Sequence, residues 1–245
     1  QEMEYHYYPI YYGFARMDMA MNEVSFSGAA PQAGSTFGIG GSMARFGLYN
    51  DYLYAVDNSM LYLFDVKNAE SPGSIGTQNV GWNVETMFIY DGHMFFGTQT
   101  GMLIYNLDVA TVPEYIGQFW HVTSCDPVVI SNGYAYITLR GGNQCGSNVN
   151  RLDVLQLSDD YANNTLLASY PMSGPYGLGI DDDILFVCDG DAGLKVYDVT
   201  DKQHIDDNML ARFSNINTYD VIPVNGYLFM IGDDGFYQYD YSRSE

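Results

Sequence analysis

The residues best equipped for chemistry in this chain are carboxylates, and two clusters stand close together: "DDD" at 181–183 and "DGDAG" at 189–193. A calcium loop converges five or more oxygens on one ion, and neither cluster has the EF-hand spacing. An apolar run at 184–188 separates them, placing them at opposite ends of one strand rather than around one ion. Asp and Gly are also the preferred residues of tight corners, so both clusters are expected to be turns. The histidines, His6, His93, His121 and His204, lack metal-ligand spacing, and no metal site is expected. There is no G-x-S-x-G nucleophile turn. The Gly-rich stretches "GIGGS" (38–42) and "GGNQCG" (141–146) do not lie between a strand and a helix, so no phosphate cradle and no cofactor is expected.

What must position any functional residue is a repeat. Five stretches align on a turn followed by an aromatic-rich strand: "YNDYLYAVD" (49–57), "YDGHMFFGT" (90–98), "SNGYAYITL" (131–139), "DDDILFVCD" (181–189) and "VNGYLFMIG" (224–232). The turn markers are Asp51, Gly92, Gly133, Asp183 and Gly226. Each unit continues with a second strand, such as "LYLFDV" (61–66), "LIYNL" (103–107) or "LKVYDV" (194–199). Further apolar segments precede each turn and follow each second strand. Four short strands at a period of about 40 residues are the pattern of a β-propeller blade. The predicted fold is an all-β propeller of four-stranded blades over 43–245. Residues 1–42 form an extension that closes the ring, with "NEVSFSG" (22–28) as the donor strand. Five blades are expected, or six if "YHYYPIYY" (5–12) builds more sheet.

Thirty Asp and Glu against nine Lys and Arg give a formal charge of -21. So acidic a surface repels phosphate backbones and anionic membranes, which argues against nucleic-acid binding. No run approaches the roughly 18 apolar residues of a membrane-spanning helix. The start at Gln1-Glu2-Met3 reads as a trimmed mature form.

The pattern is clearest in "LFVCDGDAGLKVYDVTD" (185–201), with weaker copies at 61–66 and 101–107. It resembles the LVIVD repeat of bacterial and archaeal surface propellers. That resemblance implies a cell-envelope protein, often lipoprotein-anchored upstream of this sequence, with no established enzymatic activity. The three cysteines divide accordingly. Cys188 is expected to be a buried free thiol. Cys125 and Cys145 are expected to pair in an oxidising compartment and tie down the loop that lengthens the third unit, two unrelated thiols being the alternative.

In a propeller the innermost strands begin at one rim, where ligands usually bind. That rim is expected to gather Arg45, Glu85, Asp126 and Asp220 with Tyr176 and Tyr219. Trp82, Trp120 and His121 lie on the segments that enter those strands. Aromatic faces, convergent carboxylates and an Arg would suit a glycan, peptide or protein ligand. Alternatively, Arg45 only neutralises its neighbours while the aromatics fill the channel mouth. The expected function is non-enzymatic binding. The competing reading is a lyase or glycosidase with Glu85 and Asp126 as acid and base, which no His, metal set or cofactor motif supports.

Overall fold

The computed structural model describes residues 37–38, 40–120, 127–141 and 148–242. The chain divides into 1–34, outside the described residues, and a compact unit over 35–245. The proposed donor strand at 22–28 and the stretch 5–12 lie outside the described residues, as do Cys125 and Cys145.

The turn chemistry decides the strands. Asn50-Asp51, Asp91-Gly92, Asn132-Gly133 and Asn225-Gly226 all have positive φ at both residues. That is the I′ geometry whose twist matches antiparallel strands, and Asn, Asp and Gly tolerate it best. Each turn is locked by the same hydrogen bond: Val66, Leu107, Leu157, Val199 and Tyr241 donate their N–H to the carbonyls of Asp51, Gly92, Gly133, Asp183 and Gly226. The five acceptors are the five markers of the repeat.

Unit one holds β1 (Phe37–Gly38), β2 (Phe46–Tyr49), β3 (Tyr52–Asp65) and the first part of β4 (Gly73–Tyr90). Unit two takes the rest of β4 with β5 (His93–Thr98), β6 (Gly101–Asn106) and β7 (Glu114–Trp120). Unit three is β8 (Val128–Ser131), β9 (Tyr134–Leu139), β10 (Arg151–Gln156) and β11 (Thr165–Pro171). Unit four is β12 (Leu178–Asp181), β13 (Ile184–Cys188), β14 (Leu194–Asp198) and β15 (Met209–Phe213). Unit five is β16 (Thr218–Val224), β17 (Tyr227–Gly232) and β18 (Gly235–Asp240).

Five units were expected to make five separate sheets; among the described residues they make four. The first sheet has seven strands because β4 runs unbroken from the outer edge of unit one into the innermost position of unit two. β3 likewise spans a whole hairpin: it reverses near Asn58 (φ 52), which brings Val66 back to Asp51. The innermost strands touch in the order β2, β4, β8, β12, β16.

The core lies between units. One face of each strand buries toward the preceding unit and the other toward the following one, as a period of two requires. Four apolar clusters result. They centre on Tyr54, Leu61 and Met87 between units one and two, and on Phe95, Ile104 and Val128 between two and three. Tyr136, Leu185 and Tyr197 join three and four, and Phe186, Leu194 and Val221 join four and five. Cys188 is a buried free thiol at the end of β13, and burial pushes its ionisation far up, so it packs as a small hydrophobe.

Candidate functional site

Antiparallel pairing sets the rim: where an innermost strand begins, the second strand of the same unit ends. The residues seven after each marker, Asn58, Gln99, Arg140, Gly190 and Asp233, therefore stand beside the residues that open the innermost strands. Between units three, four and five this rim holds a cavity of about 190 Å³, lined by Arg140, Ser173, Tyr176, Asn217 and the Gly190–Asp191 corner among others.

Tyr176 is held from every side. Its N–H donates to the Cys188 carbonyl at 2.7 Å, and its carbonyl accepts from Thr138 Oγ1 at 2.5 Å. The Arg140 guanidinium lies 3.5 Å from the ring centroid, a cation–π contact. The ring of Tyr219 meets it edge-on, with centroids 5.0 Å apart. Gly190 (φ 53) comes so near that a Cβ there would lie 3.2 Å from the Tyr176 ring, so a larger residue would crowd the cavity floor.

The cavity's polar lining is uneven. Tyr219 donates its hydroxyl proton to the Asp233 carboxylate, which pushes the tyrosine pKa up to about 12. Asn217 Nδ2 donates to the other Asp233 oxygen at 2.6 Å. That bond fixes the amide's orientation and leaves Asn217 Oδ1 buried without a hydrogen-bond partner. Asp189, fully buried, accepts from the N–H groups of Ser173 and Gly174 at 2.8–3.1 Å and pairs with Lys195 Nζ at 2.6 Å. It clamps the linker that lines the cavity. The acidic stretch 189–193 is thus the expected hairpin turn, closed by Asp189 N–H to Gly193 O and Gly193 N–H to Gly190 O.

The rim residues expected from sequence are only partly brought together. Tyr176 lines the cavity and Tyr219 packs edge-on against its ring. Arg45 and Glu85 meet elsewhere: Arg45 Nε donates to the Glu85 backbone carbonyl at 3.0 Å, and the Glu85 carboxylate accepts from Gln99 at 2.9 Å. Trp82 and Trp120 are 77% and 60% exposed and do not line the cavity. His121 and Asp126 lie outside the described residues. Arg140 and Asn217 lie outside the sequence expectation, which rests on the starts of the innermost strands. Position seven after the marker was the signal that could have found Arg140. Among the described residues no three His, Cys, Asp or Glu are placed to share an ion.

Asp220 turns away from the rim. Its carboxylate accepts from Ser42 Oγ at 3.2 Å and from the N–H of Val221 at 3.0 Å, with further backbone donors at Ser42 and Met43. Ser42 Oγ in turn accepts from Leu178 N–H at 2.8 Å. A Cβ at Gly41 or Gly177 would overlap this carboxylate, so the two glycines make its place. Asp220 therefore joins units five, one and four at the inner ring. Burial outweighs these donors and pushes its pKa up to about 6. The unfolded carboxyl ionises near 3.8. Between those values the folded state keeps a proton that the unfolded state has released, so this group lowers stability as pH rises from 4 to 6. The loss is about 2–3 kcal/mol and persists to neutral pH. Urea denaturation at pH 4.5 and 7 is expected to show this fall, and Asp220→Asn to flatten it; an unchanged slope in that variant would show that Asp220 does not carry it.

No protein-family model matches the chain, and no curated protein matches it either. Solved propeller-like structures do. The chain is similar to the computationally designed Ika8 protein, with TM-score 0.58 and 11% identity over 82% of this chain and 59% of that one. It is similar to BamB from Moraxella catarrhalis, with TM-score 0.52 and 9% identity over 82% and 56%. A nidogen/laminin complex gives TM-score 0.54 and 15% identity over 79% and 73%. The chain spans less than two thirds of the first two. These likenesses establish the β-propeller fold.

Proposed function

We propose that this protein is a non-enzymatic binding module of the bacterial cell envelope that seats its ligand in the rim cavity. One observation carries the reading. One concave site is lined both by Arg140 over the Tyr176 ring and by Asn217, whose Oδ1 is a buried acceptor without a partner. A buried polar atom left unpaired costs roughly 1–3 kcal/mol, which a ligand N–H or O–H would recover. At about 190 Å³ the cavity is smaller than most small-molecule sites of roughly 300–1,000 Å³. It suits one sugar ring or one side chain of a larger glycan, peptide or protein. A neighbouring fold was solved as a complex of nidogen with laminin, which fits a protein partner. The LVIVD-like repeat and a Cys125–Cys145 disulfide belong to the same envelope reading. The enzyme alternative is weaker, because Glu85 is engaged by Gln99 away from the cavity.

The test is a glycan and peptide array with the purified chain, followed by affinity measurements on variants. Asn217→Ala and Arg140→Ala are expected to weaken binding about tenfold or more, worth about 1.4 kcal/mol, while Arg45→Ala leaves it unchanged. Binding indifferent to the first two changes removes the cavity from the role. Turnover of an array ligand would revive the enzyme reading.

A further inference from the structure

Most polar groups that line the rim cavity already have partners. The N–H groups of Ser173 and Gly174 go to Asp189, and the Gly190 carbonyl accepts from Thr218 and Gly193. Asn217 Nδ2 is spent on Asp233, and the atom left unmet is an acceptor, Asn217 Oδ1. An occupant must therefore bring a hydrogen-bond donor. A sugar hydroxyl and a peptide N–H both meet that need, so the rest of the lining decides between them.

A sugar ring has an apolar C–H face that is best received by an open aromatic ring. Tyr176 is the aromatic residue of the lining, and its ring is closed in by the Arg140 guanidinium, by Tyr219 and by the Gly190 backbone. Trp82 and Trp120, whose indoles are open, do not line the cavity. A peptide group needs no such platform. It is planar, and its N–H and C=O point in opposite directions. The first suits Asn217 Oδ1, and the second suits Arg140, whose guanidinium carries five N–H donors.

Charge selects further. Within the lining, Lys195 neutralises Asp189, and Arg140 offsets Asp191, so an uncharged group is suited to the cavity itself. The edge is different: Asp191, Asp233 and Asp234 are all exposed. The Tyr219 pKa is raised first by its bond to Asp233 and further by Asp191, whose charge thus reaches the same hydroxyl. With a formal charge of -21 on the whole chain, this edge attracts a cation beside the cavity.

We propose that the cavity takes a basic peptide segment: one peptide group enters, with its N–H on Asn217 Oδ1 and its carbonyl on Arg140, and a neighbouring Lys or Arg side chain pairs with Asp191. This rests on the rim cavity being the binding site and narrows its ligand to a cationic peptide.

The test titrates three probes into the full chain: the capped peptide acetyl-Ala-Ala-Lys-Ala-Ala-amide, the same peptide with Glu in place of Lys, and chitotriose. The lysine peptide is expected to bind about tenfold or more tightly than the glutamate peptide. Asp191→Asn, a change at an exposed residue, is expected to cut that ratio to about threefold or less, and so is raising NaCl from about 0.02 to 0.5 M. Methylating the peptide nitrogens is expected to weaken binding about tenfold in the parent protein and to change little in Asn217→Ala. The proposal is overturned if the two peptides bind equally, if their ratio survives Asp191→Asn, or if the lysine peptide does not bind at millimolar concentration. Chitotriose binding without either peptide would make a glycan the occupant and overturn it too. In each of these cases the rim cavity keeps its role if an array ligand still loses affinity in Asn217→Ala and Arg140→Ala; if none does, that role falls as well. Should Asn217→Ala not fold, the Asp191 comparison decides by itself.

Discussion

Replacing Lys195 by Met is expected to destabilise the protein by about 3–5 kcal/mol, the range for breaking a buried ion pair from one side. Asp189 has no exposed surface, and Lys195 is its only charged partner among the described residues, at 2.6 Å. With the ammonium gone, a buried carboxylate keeps two backbone donors, at Ser173 and Gly174. For a chain of this size the loss corresponds to about 10 °C in Tm. The double variant Asp189→Asn, Lys195→Met removes the uncompensated charge and is expected to recover part of it. Thermal melts of these two variants and of the single variant Asp189→Asn, set against the parent protein, complete a double-mutant cycle. A coupling near zero would show that the pair is not the clamp described above. Lys195→Met alone is also expected to weaken ligand binding, because Asp189 holds the Ser173–Gly174 linker against the cavity.

Gly193→Ala carries the second large effect, about 3 kcal/mol. Gly193 has φ 88, a region where an L side chain is strained, and its Cβ would overlap the Phe213 carbonyl on β15. Backbone cannot retreat as a side-chain tip can, so conformational strain and overpacking add. Gly133 is the control: its φ is 78, but nothing lies within 4 Å of an added Cβ. Gly133→Ala is expected to cost about 1 kcal/mol, the conformational part alone. Urea midpoints of the two variants check the difference. Equal losses would mean that contact with the outer strand contributes nothing.

Both effects reside in the stretch 188–201, which carries the clearest copy of the repeat, and they show what a single chain reveals. Its turn was legible because Asp-Gly chemistry acts within a few residues. The ion pair was not. Lys195 lies between apolar neighbours on β14, and nothing local says that it reaches back to Asp189. Asp220 was legible as a residue near the rim and misread as facing it. Its direction depends on the space left by Gly41 and Gly177, two glycines from distant units. Arg45 and Glu85 meet, but their contact runs through the Glu85 backbone carbonyl rather than its carboxylate. Continuity of β4 was also hidden, because the sequence at 73–90 has an outer-strand pattern at one end and an inner-strand pattern at the other.

By itself the sequence determined the repeat and the turn at each of its markers. These follow from backbone preferences and a two-residue period, which act over a few positions at a time. Tertiary structure alone decided which carboxylates are clamps and which side chains converge on the rim cavity. Those depend on bringing units together around a ring, as in the hydrogen bond from Ser42 to Asp220 across 178 positions, and no local preference encodes such a distance.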